Sequence, residues 1–163
     1  MREFGTPTRS NRDPNKPDLL IPIGIPASGK STWAAKQHSP IICPDTYRRQ
    51  VYGGAPTNGL IPDHEKEIWR WAYSQLNLAQ RERGAIIFDA TNLSQSRRTR
   101  LRNITPRHNH VAVFFETPLE LCLARNAVRE YPVPEQVVED MFQRLVPPTH
   151  DEGFDDVWVI HAE

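Results

Sequence analysis

Gly24-Ile25-Pro26-Ala27-Ser28-Gly29-Lys30-Ser31 satisfies the pattern G-x-x-x-x-G-K-[ST] in full. Before it stands Leu19-Leu20-Ile21-Pro22-Ile23, an apolar run of buried-strand type. After it, Ser31-Thr32-Trp33-Ala34-Ala35-Lys36 reads as a helix that ends before Pro40. Strand, glycine turn and helix in that order make a phosphate-binding loop: Gly24 and Gly29 let the backbone wrap tightly, and the loop amides and helix N-terminus point at phosphate oxygens. The alternative, a chance glycine-rich turn, does not account for both flanks. The residues assigned to a nucleoside triphosphate are therefore Gly24, Ala27, Ser28, Gly29, Lys30, Ser31 and Thr32. Lys30 reaches the β/γ oxygens, and the Ser31 hydroxyl holds Mg²⁺.

Outward from the loop, short apolar runs alternate with helical stretches. Ile41-Ile42-Cys43, Ala85 to Asp89, Val111 to Phe115 and Val157 to Ile160 read as strands. Ile68, Trp69, Ala72, Leu76 and Ala79 recur at three- and four-residue steps, which predicts one amphipathic helix from Asp63 to Arg83, stopped by Gly84. Further helices are expected from Asp45, from Ser94 to Ile104, from a cap at Thr117, and from Pro134 to Leu145, with a Gly- and Pro-rich loop from Gly53 to Pro62. This alternation is the signature of an α/β domain, a parallel sheet of about five strands flanked by helices. Residues 1–17, with three prolines and no apolar periodicity, are expected to be a disordered tail. Residues 18–163 form one domain.

Sixteen of the 20 basic residues are Arg, against 20 acids, for a formal net charge of zero. The balance is segregated. From Ala90 to Phe115 there are five arginines and no acid, whereas His150 to Glu163 holds five acids and no Lys or Arg. Arginine's planar fork pairs with two phosphate oxygens at once, so zero net charge does not exclude a polyanionic partner. Cys43 and Cys122 stand far apart without metal-ligand spacing, no stretch is long enough to span a membrane, and a cytoplasmic, reducing setting is expected. His108 and His110 are read as surface groups.

A phosphate acceptor needs a carboxylate near its hydroxyl and positive charge on the transferred group. Asp45, at the C-terminal end of the second strand, is placed to be that base or to cap the helix that follows; Arg48, three positions on, shares its face, while Arg49 points elsewhere. Arg125 and Arg129, four apart, stack like charges that an anion would relieve, or are exposed arginines at a helix C-terminus. Tyr131-Pro132-Val133-Pro134 has the make-up of a lid hinge, and the lid is set at about residues 125–146. Asp89 ends the third strand and either orders Mg²⁺ or is a turn residue. The arginines from Arg97 to Arg102, Arg98 among them, either contact the acceptor or form a solvated helix face.

Taken together these stretches resemble the polynucleotide 5'-kinases of the P-loop phosphotransferase group, including the bacteriophage enzyme and the kinase modules of end-healing proteins. The resemblance lies in Gly24 to Trp33, in Asp45-Thr46-Tyr47-Arg48 against D-x-Y-R, in Asp89-Ala90-Thr91-Asn92 against D-A-T-N, in Arg125 and Arg129 with Val133-Pro134 against the lid, and in Pro147 to Phe154 against P-x-L-x-E-G-F. Thr149-His150 and Tyr131-Pro132 depart from that pattern. The resemblance implies a P-loop kinase fold with a small helical lid, and ATP and Mg²⁺ as cofactors. It implies Asp45 as general base for a 5'-hydroxyl, Arg48 on the acceptor phosphate, and Arg125 and Arg129 on the ATP phosphates, with Lys30, Asp45 and Arg129 as the catalytic set. Ser31 and Asp89 would serve the metal. The expected partners are 5'-hydroxyl ends of DNA or RNA, together with separate repair enzymes such as a phosphatase or ligase, because no phosphatase or ligase motif occurs. A kinase of a small metabolite or nucleotide sugar, or a nucleotide-hydrolysing switch without an acceptor, are the alternatives.

Overall fold

The computed structural model describes residues 10–53 and 61–162. The first strand, β1 (Asp18–Ile23), is central, with parallel neighbours on both sides. The elements that follow are α1 (Lys30–Ala34), β2 (Ile41–Ile42), α2 (Pro44–Tyr52), α3 (Pro62–Ala79), β3 (Ile86–Phe88), α4 (Gln95–Ile104), β4 (Asn109–Glu116), α5 (Leu119–Ala127), α6 (Glu135–Arg144), a 3₁₀ turn (His150–Glu152) and β5 (Asp156–His161). The five strands lie in the order β2-β3-β1-β4-β5, all parallel. The expected five-stranded parallel sheet flanked by helices is the observed fold.

Side chains alternate across β1. Leu19, Ile21 and Ile23 face a core shared with Ala72 and Leu76 of α3 and Leu101 of α4, while Leu20 faces Trp33, Ala34, Val111 and Phe115. A proline in a central strand removes a ladder donor. Pro22 is accommodated because pairing with β3 runs only through Leu19 and Leu20. Beyond that point the 89–92 loop takes over: Asn92 Nδ2 donates to the Pro22 carbonyl at 2.8 Å, and the Gly24 amide donates to the Thr91 carbonyl at 3.1 Å.

Several expectations are corrected. From residue 10 onward the N-terminal segment is pinned: the Asn11 amide donates to Asp155 O at 2.8 Å, and the Asn109 side chain bonds Asp13 and Lys16. Residues 1–9, the rest of the predicted tail, lie outside the described residues, as do residues 54–60 of the predicted loop. Helix α3 ends at Ala79, and residues 80–84 turn back toward β3. Pro118, not Thr117, caps α5; the Thr117 hydroxyl donates to Ser28 O at 3.0 Å and ties β4 to the phosphate loop. His108 is buried and His110 half-buried, and burial lowers the pKa of both. Ser94 does cap α4, accepting from the Arg97 amide.

Arg98 is the largest correction. Its side chain is fully buried, so it does not reach an acceptor. The guanidinium pairs with Glu152 (2.9 and 2.5 Å) and donates through Nη1 to the carbonyls of Asn92, Leu93 and Val146. It therefore clamps α4, the 89–93 loop, the chain beyond α6 and the 3₁₀ turn. Removing one partner of a buried ion pair strands the other charge at a cost of about 3–5 kcal/mol. Arg98→Ala is expected to lose that much stability in urea unfolding, whereas Arg107→Ala, exposed at a turn, stays within about 0.5 kcal/mol of wild type.

Candidate functional site

The phosphate loop joins β1 to α1 at the C-terminal edge of the sheet, where open α/β sheets collect ligands. Gly24 is required by packing: a Cβ there would meet Ser28 Oγ at 2.6 Å and Phe115 Cβ at 3.2 Å. Ala27 and Gly29 turn the chain through positive φ (63° and 106°). The first-turn amides of α1, on Lys30, Ser31 and Thr32, have no intrahelical acceptors and are aimed into the loop. The Lys30 ammonium is buried, donating to Ile25 O at 2.7 Å and Ser28 Oγ at 3.3 Å. Burial lowers its pKa from 10.5 to about 8, against the opposing pull of Asp89, Asp45 and Cys122, while Arg129 pushes it further down.

Asp89 follows β3 directly and is buried. Desolvation raises its pKa, while a hydrogen bond with Ser31 and the Lys30 charge oppose that rise. A hydroxyl, a carboxylate and a lysine thus converge at one point. This donor set fits a divalent cation held by one or two protein oxygens together with nucleotide phosphates. Asn92, which the motif Asp89-Ala90-Thr91-Asn92 includes without a role, fixes this loop by donating to the carbonyls of Pro22, Phe88 and Ala90 from a backbone at φ 49°.

Asp45 lies in the first turn of α2, behind Pro44, with Cys43 as the N-cap. Its side chain is 67% exposed and ion-paired to Arg48 Nη1. Its charge acts on both Lys30 and Asp89. Arg48 is buried, and its Nε and Nη2 bind the two oxygens of Glu65 on α3 at 2.7 and 2.8 Å. The guanidinium expected to meet an acceptor phosphate is instead engaged by protein on both edges, which makes Arg48 the holder of Asp45. Arg49, expected to point away, lines the cleft, and its charge acts on Asp89. Tyr47 stacked on Trp71 at 4.0 Å fixes α2 against α3.

The expected lid, residues 125–146, takes in the end of α5, a link and α6; α5 and α6 pack on Ile25 through Cys122 and Val138. Asn126 locks the link by accepting from the Val133 amide at 3.0 Å and donating to its carbonyl at 2.6 Å. Arg129 lies beyond the end of α5 and lines the cleft. Arg125 sits in the last helical turn, half-buried and off the cleft lining, so the two do not stack on one helix face. Burial raises the thiol pKa of both Cys43 and Cys122, consistent with packing roles.

From Pro26 at the loop, a cleft of about 1300 Å³ opens between α2, α3, α4 and the lid. Among the described residues, eight Lys and Arg side chains line it, against two acids, Asp45 and Glu65.

A family model described as an AAA domain matches residues 19–148. The chain belongs to that family. This AAA-domain chain is similar to the L-seryl-tRNA(Sec) kinase of Methanococcus maripaludis, 26% identical over 141 residues, covering 80% of this chain and 53% of that protein. It thus spans about half the length of this curated relative. A chain of the Pnkp1/Rnl/Hen1 RNA repair complex superimposes with TM-score 0.69 at 23% identity, covering 83% of this chain and 46% of that one. A second structure of the complex gives 0.60 at 26% identity, over 71% and 40%. A gluconokinase from Sinorhizobium meliloti shares the fold with TM-score 0.60 at 19% identity, over 90% and 83%. The fold and nucleotide site of this family member are those of a P-loop phosphotransferase of kinase type.

The lowered pKa of Lys30 has a consequence for stability. Between pH about 8 and 10.5 the unfolded chain binds more protons at Lys30 than the folded one, so this group's contribution makes the nucleotide-free protein more stable as pH rises through that window. Lys30→Met is expected to abolish nucleotide binding, to remove that rise, and to raise the stability of the free protein at pH 7 by on the order of 1 kcal/mol. Urea titrations across pH check this; a destabilised variant with an unchanged pH slope contradicts it.

Proposed function

We propose that this chain transfers the γ-phosphate of ATP to the 5'-hydroxyl ends of DNA or RNA. The observation that carries the reading is the placing of an exposed carboxylate, Asp45, at the junction between the phosphate loop and a long cationic cleft. A small polyol or sugar acid needs neither that length nor eight cationic side chains. A nucleic-acid end brings several phosphates and bases to fill them. The curated relative that acts on a tRNA and the Pnkp1/Rnl/Hen1 structures lend support of the same kind.

In this mechanism the loop amides and Lys30 hold the β- and γ-phosphates. Ser31 and Asp89 would hold Mg²⁺, which when bound would neutralise charge on the phosphates. Asp45 accepts the proton of the attacking hydroxyl. Arg48, clamped by Glu65, keeps the carboxylate aimed, and Arg129 places positive charge beside the leaving phosphates. Little covalent chemistry is left to the protein, so rate comes from position and field. A separate phosphatase or ligase would complete the repair of an end.

A second reading is favoured by the seryl-tRNA kinase similarity: the acceptor would be a hydroxyl carried on an aminoacylated tRNA end, served by the same base. A 5'-hydroxyl oligonucleotide with labelled ATP and Mg²⁺ tests the first. Wild type is expected to label the 5' end, Asp45→Asn to lose about 10²–10⁴-fold in kcat as a missing general base does, and Glu65→Gln to lose about tenfold in kcat with KM nearly unchanged. Label on seryl-tRNA but on no oligonucleotide end selects the second reading.

A further inference from the structure

We propose that the wall of the cleft built from α3 and α4 is a strand-binding subsite, taking the nucleotides that follow the acceptor end; this rests on the nucleic-acid reading above. Glu65, Trp69, Tyr73 and Asn77 all line the cleft and recur every four residues on α3. With a 1.5 Å rise per residue, the line they form runs about 18 Å from one end to the other. Its near end is fixed beside the base, since Glu65 grips the arginine that holds Asp45. The far end lies well beyond the reach of a single acceptor nucleotide.

Along this line α4 contributes two arginines, each over a ring. The Arg97 guanidinium carbon stands 3.6 Å from the centre of the Trp69 ring, and that of Arg100 4.2 Å from the centre of Tyr73. Both arginines and both rings line the cleft. Arg97 and Arg100 are three residues apart, where like charges on a helix repel, and each depresses stability unless an anion intervenes. Both acids of the lining, Asp45 and Glu65, are already paired to Arg48. The far stretch is thus a row of alternating planar cations and aromatic faces. Nucleobases stack on both kinds of plane, and backbone phosphates pair with guanidinium edges. An acidic peptide would match the charge but leave the planes without partners.

The experiment is fluorescence anisotropy of 5'-hydroxyl oligonucleotides of two and ten nucleotides, at several salt concentrations, with wild type, Arg97→Gln/Arg100→Gln and Asn77→Asp. Asn77 is exposed and off the ring contacts, so its variant keeps the test valid if the double variant does not fold. Expected is tenfold or tighter binding of the ten-mer over the two-mer by wild type. Both variants should lose most of that advantage while two-mer and ATP affinities stay unchanged. The double variant's logarithmic salt slope should fall by about 1.4, at about 0.7 for each phosphate contact to a single strand. Equal affinities for the two lengths, or a ten-mer affinity untouched by both variants, overturns the subsite. Transfer to oligonucleotide ends without length dependence sinks the subsite alone. Ten-mer binding through this wall without transfer sinks the kinase reading alone. Absence of any oligonucleotide binding overturns both.

Discussion

A lysine ammonium kept inside the protein is the constraint on which the rest of this structure turns. Desolvation disfavours the charge on Lys30, and the fold answers with a carbonyl, a hydroxyl and two carboxylates. Each answer fixes a piece of chain. Ile25 and Ser28 hold the loop in its wrap, which leaves no room for a Cβ at Gly24. Asp89 must end β3 beside β1, and Asp45 must open α2 just beyond β2. The strand order β2-β3-β1-β4-β5 brings all three loops to one edge. The ammonium is held ready for phosphate oxygens, at a cost to the free protein that a nucleotide would relieve.

A second device grows from the same edge. Asp45 is exposed, yet its partner Arg48 is buried and gripped by a carboxylate from another helix. The Asp45 carboxylate is thereby held from behind, with its front left to the cleft. The ring stack of Tyr47 on Trp71 locks the two helices in the spacing this requires. The same helix α3 that supplies Glu65 then runs on as the floor of the cationic wall, so the grip on Arg48 and the long side of the cleft share one rigid element.

The loop, the strands and the Asp45–Arg48 pair were legible because they are local: a motif with its flanks, apolar runs, and an acid three residues before an arginine. Glu65 was invisible because its partner lies 17 residues away and nothing in a helix full of charges marks one of them. Arg98 was misjudged among five arginines for the opposite reason. A signal did exist: Leu101, the buried apolar residue of α4, lies three positions after Arg98, and residues at that spacing share a face. A register argument would have placed Arg98 inward and Arg97 and Arg100 to its sides. The pinned residues 10–17 carry no periodicity because they are held by Asn109 and Asp155 rather than by a core of their own. Arg125 and Arg129 separated because α5 stops at Ala127, two residues short of Arg129.

The central claim is that the acceptor is the 5' end of a polynucleotide chain. Its most direct measurement is a competition: labelled ATP and Mg²⁺ with an equimolar mixture of a 5'-hydroxyl oligonucleotide, a sugar acid and seryl-tRNA, followed by separation of the products. The account predicts that nearly all the label falls on the oligonucleotide and is released by a 5'-phosphatase. Label gathered on the sugar acid or the seryl group, with the oligonucleotide left unmodified, would contradict it.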